Sequence, residues 1–138
     1  MKNIVLDTNC IMASISKKSD DYAIWRDFQL GKYNLCVTTE ILEEYEEIIA
    51  RTLTPEIART VILYILNRPN VLRVNAYYKF SLITADYDDN KFVDCAIAAN
   101  ASYIVTNDSH FNELDKIGFP KVCHIGIEDF RQFVLPMY

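Results

Sequence analysis

The chain has 138 residues, 51% of them apolar, and a formal charge of −5 at neutral pH. That length is expected to form one domain with enough apolar material to fill a core, and three glycines and four prolines leave no room for a low-complexity or linker-rich segment. The negative charge excludes a globally basic nucleic-acid-binding surface, although a local basic strip or a bound cation can offset the repulsion from a phosphate backbone.

In chain order, Asn3 to Leu6 is a short apolar run closed by Asp7-Thr8-Asn9, the pattern of a buried strand. A helix is expected from about Cys10, and a second over Tyr22 to Leu30, stopped by Gly31. Asn34 to Val37 predicts the second strand. Thr38 and Thr39 offer capping oxygens for a helix reaching about Arg51. Thr54-Pro55-Glu56 opens another, with proline at the first helical position, running to about Leu66 before Arg68-Pro69. Val71 to Val74 reads as a third strand. The stretch from Asn75 to Asp88 has no firm period and is expected to be loop. A helix opens at Asp88-Asp89-Asn90 and runs to about Asn100. Tyr103 to Val105 is the fourth strand, Phe111 to Lys116 a short helix, Val122 to Ile125 the fifth strand and Ile127 to Phe133 the last helix. Short apolar strands alternating with helices predict a parallel α/β sheet covered on both faces.

In such sheets ligands bind beyond the carboxyl ends of the strands, near the switch in strand order. Asp7 ends the first strand and Asp108 lies just past the fourth. Asp89 heads the helix before that fourth strand, and Glu44 lies in the helix after the second. All four can therefore share one end of the sheet, and clustered carboxylates hold Mg²⁺ or Mn²⁺ in enzymes that cut phosphodiesters. The glutamate-rich helix offers several candidates. On a helical wheel Ile41, Tyr45, Ile48 and Ile49 define the apolar face, Glu43 and Glu47 point to solvent, and Glu44 and Glu46 flank the core. Glu44 is the nearer to the strand end and is the choice, with Glu43 or Glu46 as substitutes. In the helix from Asp89, the apolar face holds Phe92, Val93, Ala96 and Ala99. Asp89 points along it and Asp94 falls opposite, on the side expected to be solvated.

These residues place the chain in a recognisable company. VLDTN at Asp7, ILEEYEEIIAR at Glu44, DDNKF at Asp89 and YIVTND at Asp108 occur in the order found in PIN-domain ribonucleases. The chain resembles most those that are toxin components of toxin–antitoxin systems. The resemblance covers most of the sequence. It implies a three-layer α/β/α fold with a central parallel sheet of about five strands, and an acidic pocket binding Mg²⁺ or Mn²⁺. It further implies cleavage of an RNA substrate, a cognate antitoxin protein as partner, and a homodimer. Its four acids map onto Asp7, Glu44, Asp89 and Asp108, with Thr106 and Asn9 as supporting polar residues. Asp7 and Asp108 are expected as main ligands, and Glu44 and Asp89 as holders of a second ion or of water. Tyr87 stands where relatives often carry proline, and Asn100-Ala101-Ser102 replaces a commonly glycine-containing turn.

Two other readings are open. A non-catalytic module could keep this fold and bind only RNA or protein. A phospho-acceptor receiver domain has a similar length and strand count, but it needs a lysine just after the fifth strand, where this chain has Gly126-Ile127-Glu128. His110 and His124 show no metal-type spacing and read as structural or surface residues. The aromatic residues read mostly as core. Cys10, Cys36, Cys95 and Cys123 form no CxxC pair and are expected as buried free thiols in a reduced compartment. No apolar run approaches the roughly 20 residues that span a bilayer, and MKNIVLDTN lacks the apolar stretch of a signal peptide, so a cytoplasmic protein without membrane association is expected.

Overall fold

The computed structural model describes residues 2–138. Strands β1 (Asn3–Leu6), β2 (Asn34–Val37), β3 (Val71–Arg73), β4 (Tyr103–Val105) and β5 (His124–Ile125) form one all-parallel sheet in the order β3-β2-β1-β4-β5. β1 is central, with Ile4 opposite Leu35 of β2 and Leu6 opposite Val105 of β4. Parallel pairing requires crossovers, and the helices that make them cover the sheet faces. This is why the central strands read as unbroken apolar triplets: Ile4-Val5-Leu6 and Leu35-Cys36-Val37 are fully buried. The chain runs outward from β1 through β2 and β3, then returns to start again at β4. The switch in strand order therefore falls between β1 and β4, the place where such sheets bind ligands. The order also excludes the receiver-domain reading, whose strands run 2-1-3-4-5.

The helices are α1 (Thr8–Ser14), α2 (Tyr22–Gln29), α3 (Thr39–Thr52), α4 (Pro55–Leu66), α5 (Asn90–Ala99) and α6 (Ile127–Asp129). Their ends follow local chemistry. Thr38 Oγ1 accepts from Ile41 N at 3.2 Å to cap α3, and Thr54 Oγ1 accepts from Ile57 N at 3.0 Å to cap α4. Gly31 takes φ +75° after α2, which a side chain would oppose. Asn100 takes φ +50° at the end of α5. Asparagine tolerates that left-handed turn, which explains why the glycine expected there can be absent.

Three expectations are corrected and one, on the aromatic residues, is refined. Asp94 is not solvated: it is 5% exposed, because the segment between β3 and α5 folds over its side of the helix. Phe80 N donates to its carboxylate at 3.1 Å, and burial raises its pKa above the usual carboxylate range. A helical wheel sees only its own helix and could not show that cover. Cys123 is exposed while Cys10, Cys36 and Cys95 are buried, since it precedes a two-residue edge strand. Tyr77, Tyr78 and Tyr87 are exposed in the same covering segment, whereas Trp25, Phe28, Tyr33 and Tyr45 are core. The last helix begins as α6 but widens into a π-turn over Phe130–Val134 and closes as a 3₁₀ turn at Leu135–Met137. No helix among the described residues is long and apolar enough to cross a membrane.

One buried hydrogen bond ties α3 to the sheet. The Tyr45 hydroxyl, fully buried, donates to the carbonyl of Leu6 at the end of β1. Tyr45→Phe should strip that carbonyl of its donor and lower unfolding free energy by about 1–3 kcal/mol. Urea denaturation measures this, and an unchanged midpoint would show that the tether carries no stability.

Candidate metal centre

Asp7 stands where β1 gives way to α1, at the switch point. Its Oδ1 accepts from Thr8 N at 2.7 Å, capping the helix, and its Oδ2 accepts from the Thr106 hydroxyl at 2.7 Å. Thr106 is the first residue after β4, so the carboxylate is held from both strands that flank the switch. Asp7 is 7% exposed. Burial is the largest effect on its carboxyl and raises its pKa; the bonds from Thr106 and Thr8 oppose that, and the charges of Glu44 and Asp108 add to it. The residues after Thr106 are also engaged. Asn107 Oδ1 accepts from Ile127 N at 2.9 Å, anchoring the start of α6. Asp108 Oδ1 accepts from His110 N at 2.9 Å, starting the 3₁₀ turn over Ser109–Lys116.

On α3 the wheel sorted three of the acids correctly: Glu43 and Glu47 are exposed and Glu44 is half-buried, whereas Glu46, expected to flank the core, is exposed. The Glu44 carboxylate is not free. One oxygen accepts from the Thr8 hydroxyl, and the other lies 2.7 Å from Lys91 Nζ. Lys91 sits in the first turn of α5. Burial works to lower the pKa of its ammonium, and pairing with Glu44 more than offsets this, so the net shift is upward.

Asp89 closes a 3₁₀ turn over Tyr87–Asp89 that leads into α5, and that turn is capped by Asp86. Burial pushes the Asp89 carboxyl up to about 6. The hydrogen bond from His110 works against this, while Asp108, Asp86 and Asp7 add repulsion. His110 Nδ1 lies 3.0 Å from Asp89 and 3.4 Å from Asp108, and these acids raise its pKa.

Asp7, Glu44, Asp89 and Asp108 line one cavity of about 240 Å³, together with Thr8, Asn9, Asp86 and Asp88. Asn9 is exposed at its edge, and Thr106 lies behind Asp7. The four acids thus share a cavity without converging on a point. The tight group among the described residues is Asp86, Asp89 and His110, whose ligand atoms lie within 4.8 Å of one another. Sequence reasoning missed Asp86, His110, Lys91 and Thr8. Their proximity in sequence to chosen acids was a signal: Thr8 follows Asp7, His110 is two residues past Asp108, and Lys91 two past Asp89.

The donor set fits a hard divalent cation. Carboxylate oxygens are the ligands Mg²⁺ and Mn²⁺ favour, and the repulsion among Asp7, Asp89 and Asp108 is what such an ion would neutralise.

With this fold and acidic cavity, residues 3–110 match the sequence pattern of the PIN domain, and the chain belongs to the PIN-domain family. No curated protein matches it at a significant level. Among solved structures it is similar to a chain of VapBC2 from Rickettsia felis bound to a DNA fragment from its promoter. That match has 22% identity and a TM-score of 0.61 and covers 90% of this chain and 98% of the other. A chain of DNA-bound VapBC from Salmonella typhimurium matches at 22% identity and a TM-score of 0.62, covering 92% and 99%. FitAcB from Neisseria gonorrhoeae matches at 14% identity and a TM-score of 0.57, covering 91% and 98%. At these identities the likeness is one of fold.

The burial of Asp89, and the acids crowded around it, make a measurable difference. A carboxyl whose pKa in the folded protein lies above its ordinary 3.8 costs stability when ionised. The cost is absent below that value, grows as pH rises, and is complete above about 6. Metal-free Asp89→Asn should therefore melt at a higher temperature than the parent at about pH 7.5, with the gap closing as pH falls toward about 4. Excess Mn²⁺ should raise the melting temperature of the parent more than that of the variant. Thermal scans with and without Mn²⁺ across pH test both statements, and a gap independent of pH would contradict the first.

Proposed function

We propose that the chain is a divalent-metal-dependent endoribonuclease, a single PIN-like nuclease domain over residues 1–138 that hydrolyses RNA phosphodiester bonds. One observation carries this reading: carboxylates from four separated segments line a single cavity at the switch point of the sheet. Asp7, Glu44, Asp89 and Asp108 form the proposed site, with Asn9 and Thr106 in support. Mg²⁺ or Mn²⁺ bound there would acidify a water and neutralise the charge that builds on the phosphate oxygens.

The chain's own contribution is positional. Thr8 N and the Thr106 hydroxyl occupy both oxygens of Asp7 and fix its rotation, so its outward lone pairs point in one direction. Asp108 is oriented by its cap on the turn that carries His110, and Asp89 by His110. Three elements thus supply pre-oriented oxygens, which lowers the reorganisation needed when charge develops on a substrate.

The fold likeness to chains of the VapBC and FitAcB structures supports a role as the toxin of a toxin–antitoxin pair, with a cognate antitoxin protein as partner. The proposal extends to a homodimer in the cytoplasm, on the family resemblance of the sequence.

Purified protein should cleave single-stranded RNA with Mg²⁺ or Mn²⁺ and stop on addition of EDTA. Asp7→Asn should slow cleavage by at least about a hundredfold while keeping its circular dichroism. Full activity in a clean Asp7→Asn preparation would overturn the proposal. Metal binding without turnover would leave a non-catalytic binding module.

A further inference from the structure

Lys91 is placed where a cation is needed. Its ammonium lies 2.7 Å from Glu44 Oε1, and the two side chains are only 17% and 24% exposed. The second oxygen of Glu44 accepts from the Thr8 hydroxyl. Both oxygens of this acid are therefore held, one by the start of α1 and one by the first turn of α5. The other ion pairs of α3 lie outside the cavity and are solvated: Lys79 with Glu40 and Arg51 with Glu47. The other three acids of the proposed site differ from Glu44. Asp7 is satisfied by neutral donors alone, and Asp89 and Asp108 share His110. A divalent ion bound directly to Glu44 would have to displace Lys91 or sit beside its positive charge in a partly buried site, where screening is weak.

We infer that Lys91 stands in for a second metal ion: it holds Glu44, so the centre takes one divalent cation, on the side of the cavity that Asp7, Asp89 and Asp108 line. This rests on the metal-dependent reading above and assigns Lys91 as a positioning residue of that site. It also moves Asp89, expected with Glu44 at a second ion or a water, to the side of Asp7 and Asp108. Asp7, Asp89 and Asp108 face the ion. Glu44 closes the cavity wall through Thr8 and Lys91 and keeps α3, α1 and α5 in register around it.

The test counts Mn²⁺ ions per chain on the metal-free protein, by calorimetry and by the loss of the free-ion paramagnetic resonance signal. The parent should bind one ion, Lys91→Met two, and Lys91→Arg one. Lys91→Met/Glu44→Gln removes the pair as a neutral unit. It should bind one ion with a Kd within about threefold of the parent, and it keeps the test decisive if Lys91→Met alone does not fold, since it leaves no unpaired buried charge. Two ions on the parent, one on a folded Lys91→Met, or a lost site in the folded double variant would each overturn the inference while leaving metal-dependent cleavage standing. No ion on the parent would take down both readings together.

Discussion

A carboxylate kept out of water at a strand end, next to others of the same charge, sets the terms for this structure. Asp7 is raised by its own burial and by Glu44 and Asp108, and it remains in place because neutral donors grip both its oxygens. Those donors come from opposite sides of the switch in strand order. Thr8 begins the helix that follows β1, and Thr106 is the first residue after β4. The parallel pairing of Leu6 with Val105 brings the two strand ends level, so the sheet register and the carboxylate's hydrogen bonds specify each other. One residue earlier, the Leu6 carbonyl takes the buried Tyr45 hydroxyl, which extends the same control to α3 and to Glu44 beside it.

The cavity holds an excess of negative charge, and the nitrogen groups that answer it are few and placed. Lys91 answers Glu44, and His110 lies between Asp89 and Asp108. The segment between β3 and α5 brings in another acid. Asn90 clamps it by accepting from Ile83 N at 2.8 Å and donating to Ile83 O at 2.9 Å, and Asp94 fixes it at Phe80. That clamp leads the chain into the turn capped by Asp86, which completes the tight group with Asp89 and His110. A loop without sequence period thus helps build the most concentrated set of ligand atoms among the described residues.

Much of the fold was legible along the chain. β1, β2 and β4 have the expected bounds, and the caps at Thr38 and Thr54, the stop at Gly31 and the half-burial of Glu44 all follow from local rules. Less was legible where one segment lies over another. Asp94 looked solvated because its own helix gives it a polar side, and only the loop folded across that side buries it. Cys123 looked buried because its run is apolar, yet it precedes the shortest strand, at the edge of the sheet.

What the sequence determined by itself was the alternation of strands and helices, the placement of Asp7 and Asp108 just past strand ends, and the ordered set of acids that marks a PIN domain. These depend on periods of a few residues and on turn chemistry, which are local. The tertiary structure alone decided which charges answer which. Lys91 and Glu44 are 47 residues apart, and Thr106 and Asp7 are 99 apart. Such pairs are set by strand order and helix packing, and no period in the sequence encodes them. For that reason four acids that line one cavity could be named from the chain, while the pairing of Glu44 with Lys91 and Thr8 came only from the assembled structure.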